Sequence, residues 1–152
     1  MKQSAGILLY RIRNKQLEVF LVHPGGPFFK NKDAGSWTIP KGEPEVEEPL
    51  FQTALREFRE ETGFLPNGQA RELTSITQKA GKRVSCWAIE GNLDPEQLQS
   101  NTFEIEWPPK SGKRKAFPEI DKGEWFSLEE AGKKINQMQI SFLLELRNAL
   151  SL

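Results

Sequence analysis

Glu57, Glu60 and Glu61 stand at i, i+3 and i+4, so on a helix their carboxylates project from one small patch. For stability alone this is a poor arrangement. Like charges at i, i+4 cost roughly 0.2–0.5 kcal/mol per pair, and acids in a last helical turn oppose the negative end of its dipole by about 0.3–1 kcal/mol each. A bound cation offsets both penalties. Hard carboxylate oxygens select Mg²⁺ or Mn²⁺, and the carbonyl of Gly42 can add a ligand because a glycine lets a metal approach the backbone closely. The competing reading is a solvated acidic face, with Arg56 and Arg59 as ordinary surface partners.

The wider spacing decides between them. Residues 42–64 read Gly42-x5-Glu48-x7-Arg56-Glu57-Phe58-x-Glu60-Glu61-x-Gly63-Phe64. This pattern resembles the Nudix box, the signature of hydrolases that cleave a nucleoside diphosphate linked to another moiety, and every specified position is filled. Two further stretches are similar to members of that family. Trp37-Thr38-Ile39-Pro40-Lys41-Gly42 resembles the approach to the box in diadenosine-tetraphosphate hydrolases, where an extra catalytic glutamate also stands as Glu119 does here, six residues before Trp125. Residues 104–112 look like a bacterial group described only as predicted pyrophosphohydrolases.

The resemblance implies an α/β fold, the Nudix-type α/β/α sandwich with a mixed β-sheet. It implies Glu57 and Glu61 as the firmest metal ligands, joined by Gly42, Glu60 and Glu119, and a pairing role for Arg56 that orients the carboxylates. Glu57 and Glu119 are the two candidates for general base, with Asp121, Glu104 and Glu106 as fallbacks. Glu48, just before the helix, is read as holding the loop by accepting backbone N–H groups, with approach to a metal-bound water as the alternative. Pyrophosphate cleavage brings water to a phosphorus shielded by anionic oxygens, which is why divalent cations serve it.

The expected reaction is therefore Mg²⁺-dependent hydrolysis, with Mn²⁺ as substitute, of a dinucleoside polyphosphate or nucleoside triphosphate. The alternative is a non-catalytic nucleotide sensor on the same fold; such relatives lose box acids, and none is missing here. Lys41, beside the metal loop, is expected on a substrate phosphate. Lys110 and Arg114, in a run of four cations over residues 110–115, are expected to grip a polyphosphate while Trp107 stacks on a base. A solvated charge run is the plainer reading of that loop. His23, the only histidine, has no nucleophile motif to serve and is read as a loop residue near the site mouth; Cys86, the only cysteine, is read as a small core residue.

The elements that position these groups follow from periodicity. Phe51, Ala54, Leu55 and Phe58 recur at i, i+3, i+4, i+7, predicting a helix from about Pro49, as its first residue, to Thr62, with Gly63 as a left-handed cap. Residues 4–12 and 17–22 predict a hairpin, residues 73–79 and 83–89 a second one, and residues 102–107 and 124–126 further strands. Residues 23–36 and 110–115 read as loops. Ser127-Leu128-Glu129-Glu130 predicts a capped helix to about Ile135, and Phe142, Leu143, Leu146 and Leu150 the apolar face of a last helix.

The 152 residues are read as a single domain spanning residues 1–152. Lys plus Arg equals Asp plus Glu at 21 each, so no global attraction to nucleic acid or membrane is expected and the partner is a small nucleotide. The first apolar run is too short for a signal or membrane segment, which predicts a cytoplasmic protein. Nothing in the sequence specifies an oligomer.

Overall fold

The computed structural model describes residues 2–152. The first hairpin joins β1 (Gln3–Arg13) to β2 (Gln16–Pro24) through Asn14 and Lys15. Both turn residues have positive φ, 51° and 66°, the geometry whose twist matches the flanking strands. Residues 37–42 then fill the space where β1 and β2 diverge. Thr38 pairs with Val22 of β2, and β3 (Lys41–Gly42) pairs with Ala5 and Gly6 of β1.

α1 (Leu50–Thr62) follows, then β4 (Ala70–Glu72), β5 (Ile76–Thr77) and β6 (Arg83–Glu90). The predicted second hairpin exists, but its first strand is broken. Both short pieces pair antiparallel with β6, and the Thr74 N–H in the gap donates instead to Glu145 at 2.8 Å. β7 (Thr102–Glu106) and β8 (Arg114–Pro118) form a separate two-stranded arm. Arg114 and Lys115, read as loop from their charge, are strand residues opposite Glu106 and Ile105. An arm exposed along most of one strand carries no hydrophobic alternation to reveal it. β9 (Ile120–Ser127) closes the main sheet against β2, and α2 (Leu128–Lys134) and α3 (Ile140–Ala149) end the chain.

The sheet runs β4-β6-β1-β2-β9, with β1 and β6 parallel and the other pairs antiparallel, hence mixed. Alternation along β1 divides the core in two. Ala5, Ile7 and Leu9 pack with Ala54 and Phe58 of α1 on one face. Leu8 packs with Ala131, Phe142, Leu143 and Leu146 of α2 and α3 on the other. This is the expected α/β/α sandwich. No helix among the described residues is long and apolar enough to cross a membrane.

Candidate active site

The site is built on α1. Pro49 caps the helix instead of starting it: its φ is −62° but its ψ is 142°, extended, and its carbonyl accepts the Thr53 N–H at 3.0 Å. Gly63 ends the helix at φ 83°, returning its N–H to the Arg59 carbonyl at 2.8 Å. Ala54 and Phe58 are buried, which turns the neighbouring stripe of Glu57 and Glu61 toward the sheet rim.

Arg56 organises the loop in front of the helix. Its Nε and Nη2 donate to the two oxygens of Glu48, both at 2.9 Å, in a bidentate fork. Nη1 donates to Glu57 at 3.0 Å and Glu60 at 2.6 Å, and Nη2 reaches the Glu43 carbonyl at 3.0 Å. All five guanidinium donors are thereby used. Glu48 also accepts the Thr53 hydroxyl at 2.8 Å and the Glu45 N–H at 3.1 Å. The Arg56 fork holds the Glu48 carboxyl down to about 2.

Glu57, Glu61 and Glu119 converge: one carboxylate oxygen from each lies within 4.8 Å of the others. Glu119 comes from the joint between β8 and β9, far from the helix in sequence. Glu61 is only 6% exposed, and burial, followed by the charges of Glu57 and Glu119, pushes its carboxyl up to about 9. Burial and the neighbouring Glu60 raise Glu57 and Glu119 as well. The cations nearest these three carboxyls are Arg56, bonded to Glu57, and Lys41, close to Glu61. Hard oxygen donors at this separation fit a divalent cation.

Gly42 completes one wall. A Cβ at this position would collide with the Glu57 carboxylate, so only glycine lets the backbone stand beside that group. Next to it, Lys41 is half-buried; desolvation, then Lys82, lowers its pKa while Glu61, Glu57 and Glu43 oppose the shift. Lys41 is also the boundary of a cleft of about 540 Å³ lined by Gln78, Lys79, Lys82, Asn136 and Met138. A second hollow of about 390 Å³ continues from Lys41 to Lys32 and Phe29.

The other expected residues are held by other partners. Glu60 is tied to Arg56 and is outside the converging trio. Trp107 packs edge-on against Phe28 with ring centres 5.7 Å apart. Arg114 donates to the Glu104 carbonyl at 3.3 Å, while Glu106 accepts the N–H groups of Lys110 and Gly112 at 2.9 and 3.1 Å. His23 is in β2 rather than a loop, buried, and bonded to Asp121 at 2.8 Å and to the Lys32 carbonyl at 2.6 Å. Lys79, Lys82 and Asn136 escaped the sequence reading. Three cations in residues 79–83 were a visible signal, masked because that stretch reads as an ordinary hairpin turn.

Comparison with known proteins agrees with this geometry. A mouse (Mus musculus) bis(5'-nucleosyl)-tetraphosphatase, asymmetrical, is 40% identical over 60 residues, covering 36% of this chain. The match spans 41% of the mouse protein, less than half its length. The structure of a C. elegans Ap4A hydrolase binary complex superposes with a TM-score of 0.70 at 23% identity, covering 99% of this chain and 98% of that one. The NUDIX domain of Shewanella oneidensis NrtR, complexed with ADP ribose, gives 0.69 at 19% identity over 99% and 88%. At these identities the two structures establish the fold. The NUDIX domain model matches residues 2–145, which include every residue of the carboxylate site, and the chain belongs to the NUDIX family.

Proposed function

We propose that the protein is a Mg²⁺-dependent hydrolase that cleaves a P–O–P bridge in a nucleoside diphosphate derivative, a dinucleoside polyphosphate or nucleoside triphosphate. The convergence of Glu57, Glu61 and Glu119 carries this reading. Those three carboxylates, with the Gly42 carbonyl, would hold the cation, and Glu60 stands by as a further acid steadied by Arg56. When bound there, Mg²⁺, or Mn²⁺ in its place, neutralises phosphate oxygens and orients the attacking water.

The chain's own groups do the rest. Arg56 fixes the Glu57 carboxylate so that it does not rotate away from Glu61. Glu119 is the better-placed acceptor for the water proton, because one oxygen of Glu57 is already committed to Arg56. Lys41, a neighbour of Glu61, lines the cleft with Lys79 and Lys82, and these three cations favour a polyphosphate over a substrate with fewer charges. The cleft lies in the size range of roughly 300–1,000 Å³ usual for small-molecule sites. Trp107, Lys110 and Arg114, on the arm, contribute less than the cleft lysines and only to a substrate long enough to reach them. We place the whole chain, acting as one domain, in the cytoplasm.

The test is a substrate panel of dinucleoside polyphosphates, nucleoside triphosphates and ADP-ribose with Mg²⁺ and product identification. Release of a nucleotide only when Mg²⁺ is present is the expected result. Tight binding of a panel member by the intact protein, with no turnover of any, would instead establish the sensor reading.

A further inference from the structure

We infer that residues 99–101 form a strut that positions Glu119 against the carboxylates of α1, with the Ser100 hydroxyl as its side-chain component. The inference rests on the metal role proposed above for Glu57, Glu61 and Glu119.

The trio is divided between two elements. Glu57 and Glu61 ride on α1, whereas Glu119 sits in the joint between β8 and β9, and metal ligation tolerates errors of only about 0.2 Å. Something must hold the two elements in register. The last turn of a helix leaves carbonyls without intrahelical partners. Two of these in α1 are taken up by the strut: Asn101 N–H donates to the Glu60 carbonyl at 2.8 Å, and Gln99 N–H to the Thr62 carbonyl at 3.0 Å. The Glu60 carbonyl belongs to the peptide group that leads directly into Glu61.

From its other side the same segment grips Glu119. The Asn101 carbonyl accepts the Glu119 N–H at 2.8 Å. The Ser100 hydroxyl donates to that Asn101 carbonyl at 2.8 Å and accepts the Ile120 N–H at 3.0 Å. The Glu119 carbonyl accepts the Gly25 N–H at 2.8 Å, and a Cβ on Gly25 would be driven into the neighbouring Pro118 carbonyl. Glu119 is therefore bonded through its own N–H, its own carbonyl and the next N–H. Each of these bonds except that to Ser100 is between backbone groups, so substitution at Ser100 and the missing side chain at Gly25 are the two places where side-chain chemistry can disturb the register.

Ser100 and Gly25 are positioning residues on this account, and the readout is metal affinity. Mn²⁺ binding to the full chain would be titrated calorimetrically for the wild type, Glu119→Gln, Ser100→Ala, Ser100→Thr and Gly25→Ala, alongside melting of each metal-free protein. Ser100→Ala is expected to weaken Mn²⁺ binding roughly tenfold, as loss of an outer partner of a metal ligand does, with Ser100→Thr restoring it to within about twofold. Gly25→Ala should weaken it at least as much.

Wild-type affinity in both Ser100→Ala and Gly25→Ala, with Glu119→Gln weakened, would overturn the strut while leaving the metal site standing. Unchanged affinity in Glu119→Gln would remove the metal role of Glu119 and the strut together. If Gly25→Ala does not fold, the Ser100 pair decides: a lower melting temperature with unaltered Mn²⁺ affinity in Ser100→Ala reduces the hydroxyl to a loop tie.

Discussion

The carboxylate site and the β7–β8 arm are both dense in charge, yet they use it in opposite ways. Around α1, like charges are gathered and partly buried, and Arg56 restrains Glu48, Glu57 and Glu60 at once. On the arm the charges are spread in solvent: Glu104 lies 3.6 Å from Arg114, and Glu106 caps the turn by accepting two backbone N–H groups. Arg114 is also five residues from Glu119, roughly 16 Å along an extended strand. Like charge gathered under cover is the costlier arrangement, and charge spread in solvent is screened.

The largest effect is expected at the buried acid. Glu61→Gln should lower turnover roughly a thousandfold, a loss typical of removing a group that acts on transition-state charge. The same change should raise the melting temperature of the metal-free protein near neutral pH, because burying Glu61 there requires it to take up a proton on folding and an amide does not. Full activity in this variant would end the metal-site reading.

Next comes the clamp. Arg56→Ala releases three glutamates and should cut activity roughly a hundredfold, with a lower melting temperature. If melting were unaltered, Arg56 would be no more than a surface ion-pair partner.

The third prediction concerns pH. Glu61 titrates near 9 in the fold against an ordinary 4.5, so the folded state binds the extra proton and metal-free stability should fall as pH rises through that window. Glu48 works in the other direction: held at about 2, its contribution is complete above 4.5 and is lost as pH falls toward 2. A cation held by Glu61, as proposed, would displace its proton, so the gain in melting temperature on adding Mg²⁺ should grow from pH 5 to about 9. A gain independent of pH would count against contact between Glu61 and the metal.

The smallest effect separates the cleft from the arm. Lys79→Ala with Lys82→Ala should raise KM for polyphosphates about tenfold, equivalent to roughly 1.4 kcal/mol of binding. Lys110→Ala with Arg114→Ala should change it by less than about twofold. The reverse outcome would return substrate recognition to the arm.

Much of α1 was legible because its signals are local. The apolar stripe from Phe51 to Phe58, the Gly63 cap and the acid spacing are all properties of one helix, and each can be read from neighbours three or four residues apart. Asn14 and Lys15 were legible as a turn for the same reason. The joining of Glu119 to that helix is a long-range event, made by strand register and the 99–101 segment; family likeness pointed to it, and periodicity did not. His23 went unrecognised as a strand residue because its burial depends on Asp121 and the Lys32 carbonyl, partners that only the folded sheet brings to it. The cleft lysines needed the same knowledge, since residues 79–82 face Asn136 and Met138 across more than fifty positions.

The pairing of β3 with β1 has a consequence for how the molecule comes apart. Lys41 and Gly42 belong to a segment that looks like a loop, but they are laddered onto the strand that also carries β6 along its other edge. The Gly42 amide, in the hydrogen-bonded pair with Ala5, should exchange with solvent as slowly as those of the sheet interior, opening only when the whole molecule does. In denaturant, loss of activity and loss of the sheet's far-UV signal should then follow one curve, with no populated form in which the sheet survives and the Gly42 segment has melted.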